Sequence, residues 1–78
     1  MAHIVVEFVG PVRRPCAERR LSLEVPAQTA VAALLAQLGY SPAEGARLTV
    51  LLDGTRAATG ATVADGARVE ILLPVGGG

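Results

Sequence analysis

Asp65-Gly66-Ala67-Arg68-Val69-Glu70-Ile71-Leu72-Leu73-Pro74-Val75-Gly76-Gly77-Gly78 closes the chain and joins a turn, a strand and a glycine end in one segment. Asp-Gly is turn chemistry, because Gly accepts a left-handed backbone without steric cost and the Asp side chain can bond nearby main chain. The run over residues 68–73, rich in Val, Ile and Leu, then reads as a strand. Pro74 has a fixed φ and no amide donor, so it ends sheet pairing. Gly76, Gly77 and Gly78 carry no Cβ, and a segment of this kind enters a channel that any bulkier residue would block. The working chemical group is therefore expected to be the carboxylate of Gly78.

Upstream, a second strand region spans residues 48–52 and ends at the Asp53-Gly54 turn, with a short edge strand over 55–58. Val31, Leu34, Leu35 and Leu38 recur at helical spacing, with Thr29 placed as N-cap and Gly39 as left-handed C-cap. Ser41-Pro42-Ala43-Glu44 has the form of a capping box with Pro at the first helical position, enough for one further turn. At the N-terminus, residues 4–9 place Ile4, Val6 and Phe8 on one face and Val5, Glu7 and Val9 on the other, residues 21–25 alternate apolar and polar, and the roughly ten-residue connection between these strands makes a hairpin with a long tip. A hairpin followed by a crossover helix leads to a mixed sheet in which the last strand lies centrally beside the first.

Size and composition narrow the function. Seventy-eight residues make one small domain with a limited core, too small for a deep catalytic cleft. The chain is 51% hydrophobic with one Phe, one Tyr and no Trp, so the core is aliphatic. Seven basic and seven acidic residues cancel, which argues against nucleic acid as a partner, since neutralising phosphates needs a cationic excess. All the basic residues are Arg, so no side-chain amine is available as an isopeptide acceptor, and polymers built through this chain's own lysines are excluded. A single Cys excludes an internal disulfide, and no apolar stretch approaches the length of a membrane span. A cytoplasmic location is expected.

Residues 65–78 resemble the closing segment of the β-grasp (ubiquitin-like) sulfur-carrier family, in which an Asp-Gly turn, an apolar last strand and a pair such as Pro74-Val75 precede a Gly-Gly terminus. That family includes the molybdopterin synthase small subunit and the thiamin sulfur carrier. The resemblance implies an α+β, ubiquitin-like β-grasp fold: a mixed four- to five-stranded sheet on one main helix, with residues 1–75 as the domain and 76–78 as a flexible tail. It also implies a carrier rather than an enzyme. The α-carboxylate of Gly78 is a poor electrophile when ionised and has to be activated. By the resemblance, an ubiquitin-activating-type adenylating enzyme forms an acyl-adenylate at Gly78, which becomes a thiocarboxylate. Mg-ATP is then held by that partner and no cofactor by this chain. The sulfur acceptor is an enzyme such as a molybdopterin synthase large subunit or thiazole synthase, with Pro74-Val75 tilting the reading toward molybdopterin. No downstream peptide needs removal, and residues 74–78 fully extended reach about 17 Å. The alternatives are a protein modifier joined through Gly78 to target lysines and a ubiquitin-like interaction module with an inert tail.

The docking surface is expected on the sheet face away from the helix, with Val5, Val9, Ile71 and Leu73 around the base of the tail. Periodicity does not fix which last-strand side chains point outward, because Ile71-Leu72-Leu73 is apolar at every position. Cys16 lies among Arg13, Arg14, Arg19 and Arg20, which lower a thiol pKa, but it has no accompanying His or second Cys and reads as an incidental loop thiol. Those arginines read as a solvated loop or a steering patch for an acidic partner. His3 lacks companions for a metal site.

Overall fold

In a computed structural model, which describes residues 1–10, 12 and 17–73, the alternating segments form one five-stranded sheet. The elements run β1 (Ala2–Val9), β2 (Arg20–Val25), α1 (Val31–Gln37), α2 (Pro42–Ala46), β3 (Thr49–Leu52), β4 (Thr55–Ala57) and β5 (Arg68–Leu72). Their order in the sheet is β2-β1-β5-β3-β4. The last strand is central as expected, parallel to β1 and antiparallel to β3.

Turn chemistry fixes the register. Asp53 (φ 49°) and Gly54 (φ 84°) both take the left-handed region between the paired residues Leu52 and Thr55, the geometry of a two-residue hairpin whose twist matches its strands. Asp53 also binds across to β5: its Oδ1 accepts the Arg68 N–H at 2.9 Å, and its own N–H donates to the Arg68 carbonyl at 2.8 Å. Before β5, the Asp65 carboxylate accepts the His3 N–H at 2.7 Å while the Gly66 N–H donates to the His3 carbonyl at 2.7 Å. Both Asp-Gly pairs thus tie sequence-distant strands together.

α1 packs its Val31, Leu34 and Leu35 against the sheet and ends in a Schellman motif. There the Tyr40 N–H reaches the Leu35 carbonyl and the Gly39 N–H reaches that of Ala36, each at 3.0 Å, with Gly39 at φ 94°. The expected Thr29 N-cap is not formed. Ala30 occupies the cap position, and the Thr29 hydroxyl donates to the Pro26 carbonyl at 2.6 Å. The first helical amides find other partners: the Val31 N–H donates to the Ala61 carbonyl at 2.8 Å and the Ala32 N–H to that of Thr59 at 3.0 Å. At α2 the capping box forms as read, between Ser41 and Glu44 with Pro42 at the first turn.

The core is aliphatic around two rings, Phe8 and Tyr40. Ile4, Val6 and Phe8 of β1, Val25 of β2, Val50 of β3, and Val69 and Ile71 of β5 meet Val31, Leu34, Leu35 and Leu38. Among the described residues no polar side chain is buried. No helix of the described residues is long and apolar enough to cross a membrane.

Candidate functional site

Strand alternation sorts β5 into two faces. Val69 and Ile71 point into the core, whereas Arg68, Glu70 and Leu72 take the opposite, outer face. On β1 the inner set is Ala2, Ile4, Val6 and Phe8, leaving His3, Val5, Glu7 and Val9 outside. Strand pairing brings Val9 and Thr49 to either side of Leu72, and Leu51 beside Glu70. The outer face therefore carries Val5, Val9, Leu51 and Leu72 around a band of charge.

That band is built in pairs. Glu7 and Glu70 are register partners on adjacent strands, a like-charge juxtaposition that destabilises a sheet unless it is offset. Arg20 Nη2 lies 2.8 Å from Glu7 Oε2, and Arg68 Nη2 lies 3.1 Å from Glu70 Oε1. The hydrogen bond from Arg20 holds the Glu7 carboxyl below its ordinary pKa, and the charges of Arg20 and Arg68 add to it. Conversely, the hydrogen bond and charge of Glu70 push the Arg68 guanidinium above its ordinary value.

The expected docking residues divide. Val5 and Val9 lie on the outer face, Val9 being one of the two large exposed apolar residues among those described. Ile71 does not join them: at 0% exposure it is a core residue beneath the helix, because Arg68 and Glu70 claim the outer phase of the strand and period two sends Ile71 inward. Leu73 is half-buried against the core and lines a cleft of about 160 Å³ with Val12, Tyr40, Glu44, Arg47 and Leu48, so it too belongs to the helix side. Leu72 is the outward residue that the sequence pattern did not single out, and the charges flanking it were the available signal. Pro74, Val75, Gly76, Gly77 and Gly78, like Cys16, Arg13 and Arg14, lie outside the described residues.

Among the described residues no group of three His, Cys, Asp or Glu side chains could hold a metal ion. His3 is exposed, with its backbone N–H committed to Asp65. What the geometry does provide is a rigid central strand that ends beside Val9 and Thr49, one residue short of the last described position.

Comparison with known proteins gives this arrangement a setting. The model of the ThiS family matches residues 6–78. Among solved structures, the fold is similar to that of SAMP1 from Haloferax volcanii, with TM-score 0.74 and 18% identity, covering 99% of this chain and 100% of that one. It is similar to a putative molybdopterin converting factor subunit 1 from Pyrococcus furiosus, with TM-score 0.76 and 16% identity over 96% and 100% of the two chains. Urm1 from Trypanosoma brucei aligns with TM-score 0.70 and 22% identity over 97% and 95%. At these identities the likeness is one of fold, the ubiquitin-like β-grasp. No curated protein sequence matches significantly.

Proposed function

The chain belongs to the ThiS family of β-grasp sulfur carriers, and from that premise we propose that it carries sulfur as a thiocarboxylate on Gly78. The observation that carries this reading is that the family match extends from Val6 in β1 to Gly78, so the segment after the central strand falls within the matched range. In this reading the protein is a substrate and carrier, and the catalysts are its partners.

The chemistry begins at an ionised carboxylate. A Gly78 oxygen attacks the α-phosphorus of ATP held with magnesium by an adenylating enzyme; pyrophosphate departs and an acyl-adenylate remains. The terminal sulfur of a donor persulfide then attacks the acyl carbon, and AMP leaves with the bonding electron pair. A second thiol cleaves the resulting acyl disulfide, becoming a disulfide with the donor and leaving the thiocarboxylate. The missing side chains at 76–78 allow the adenylating site to close around bare backbone. The outer face of Val5, Val9, Leu51 and Leu72 supplies the apolar contact, and the band of Arg20, Glu7, Glu70 and Arg68 orients the partner. A molybdopterin synthase large subunit is the favoured acceptor, on the Pro74-Val75 pair.

The test is intact-mass measurement after incubation with an adenylating partner, Mg-ATP and a sulfur donor. A gain equal to the replacement of one oxygen by sulfur, mapped to the peptide ending in Gly78, is expected. Failure to release pyrophosphate with any such partner overturns the reading, and recovery from cells of Gly78 in amide linkage to target lysines replaces it with the modifier reading.

A further inference from the structure

β2 is an edge strand, and its hydrogen-bonding phase is set by its neighbours. The Phe8 N–H donates to the Arg19 carbonyl at 2.7 Å, whereas the Val5 N–H donates to Ala67 at 3.1 Å and the His3 carbonyl accepts from Gly66. Even-numbered residues of β1 thus bond toward β2, and odd-numbered ones toward β5. With the register Ala2↔Val25, Ile4↔Leu23 and Val6↔Leu21, the main-chain groups of Leu21, Leu23 and Val25 are used inside the sheet. Those of Arg20, Ser22 and Glu24 point to the open edge.

We propose that this edge pairs with the β2 edge of a second copy of the chain, antiparallel, with Ser22 opposite Ser22 on a two-fold axis. In that register Arg20 faces Glu24 of the second copy and Glu24 faces its Arg20. All of these are residues whose main-chain donors and acceptors point outward, so each opposed pair exchanges both hydrogen bonds. On the other face Leu21 and Leu23, both only half-buried in one copy, come opposite Leu23 and Leu21 of the other and extend the core across the junction. Glu24 has no ion-pair partner among the described residues. Arg20 uses Nη2 on Glu7 and retains further donors in its fork for a second carboxylate.

Neighbouring registers are worse. Shifting the axis to Leu21 sets Glu24 against Glu18 of the second copy, a like-charge pair; shifting it to Leu23 sets Arg20 against Pro26, which has no N–H to give. Charge on an edge strand ordinarily blocks pairing, but of the registers centred on Leu21, Ser22 and Leu23 the one centred on Ser22 makes the charges self-complementary. β5 lies on the far side of β1 from this edge, so pairing leaves the central strand and its C-terminal end free. The single chain is thus in exchange with a symmetric dimer.

Sedimentation equilibrium from micromolar to millimolar protein tests this. The wild type is expected to pass from its 7.9 kDa mass toward twice that value, with exchange of the Ser22 amide slowing as concentration rises. Ser22→Pro removes an N–H that faces only the second copy, so its circular dichroism stays native and it remains monomeric throughout. Glu24→Arg, an exposed change that keeps the fold even if the proline variant does not, weakens association about tenfold. A wild type that stays monomeric at millimolar concentration overturns the proposal, as does association undiminished in both Ser22→Pro and Glu24→Arg.

Discussion

Glu7 and Glu70 stand side by side on parallel strands, each carboxylate held by an arginine on the same outer face, at 2.8 Å from Arg20 and 3.1 Å from Arg68. Two acids placed together are tolerated because two guanidinium groups flank them. The sheet face that the carrier reading assigns to partners is therefore a patterned surface, with charge in the middle and Val9 and Leu72 at the end from which the chain continues toward its glycines.

The arginine at Glu7 has a pH signature. The folded pKa of Glu7 is depressed below 4.5, chiefly by the Arg20 hydrogen bond, so the stability it contributes is present above the unfolded value and is lost as pH falls through the folded one. In Arg20→Gln the Glu7 carboxyl carbon is expected to titrate at higher pH by NMR, and the difference in Tm between variant and wild type should shrink as the buffer is taken below pH 4.5. A Glu7 titration unchanged by the substitution contradicts the assignment.

Ile71 and Leu72 make a neighbouring pair with opposite consequences. Ile71→Ala empties a fully buried site and is expected to cost about 2 to 5 kcal/mol. A domain of this size holds only about 0.05 to 0.15 kcal/mol per residue in total, so the variant should lose a large share of its stability and show a strongly lowered midpoint in denaturant titrations. Leu72→Ser, on the outer face, should shift the denaturant midpoint little while weakening capture by the adenylating partner. The reverse order of stabilities would mean that the strand's phase is wrong.

Glycines separate into those the backbone demands and those it does not. Gly39 sits at φ 94° with nothing within 4 Å of where a Cβ would stand, so Gly39→Ala meets no clash and its expected loss of about 1 kcal/mol arises from the left-handed backbone alone. Gly60 has equal space and no left-handed φ, and Gly60→Ala should be neutral or stabilise by up to about 1 kcal/mol through the unfolded state. Thermal unfolding of the two variants side by side checks the contrast.

Much of this architecture is legible in the sequence because local signals agree with one another. Alternation in residues 4–9 and 21–25, the helical spacing of Val31, Leu34, Leu35 and Leu38, and two Asp-Gly turns all point to one topology. Where local pattern misleads, the deciding partner is distant in sequence. Thr29 has the right chemistry for an N-cap, but the amides it would serve are taken by the Ala61 and Thr59 carbonyls, a contact that exists only once the chain has folded back. Ile71 is misplaced on the outer face by its pattern because an all-apolar triplet has no phase of its own, although Arg68 and Glu70 on the same strand already fix it. The edge complementarity of Arg20 and Glu24 is invisible in sequence for a related reason: it depends on which main-chain groups β1 leaves unused.

The decisive experiment on function separates the body from its end. The buried core of the described residues is built from side chains between Ala2 and Ile71, and Gly77 and Gly78 have no side chain to bury, so deleting them should leave the unfolding midpoint within error of the wild type. The truncated protein should still bind an adenylating partner through the Val5, Val9 and Leu72 face, and so compete with the intact chain, because that surface is unchanged. ATP–pyrophosphate exchange, however, should fall to background, since the carboxylate no longer reaches the α-phosphate. Exchange that persists after the deletion would move the reactive group away from Gly78, and loss of both binding and exchange would make the glycines part of the docking surface as well as the site of chemistry.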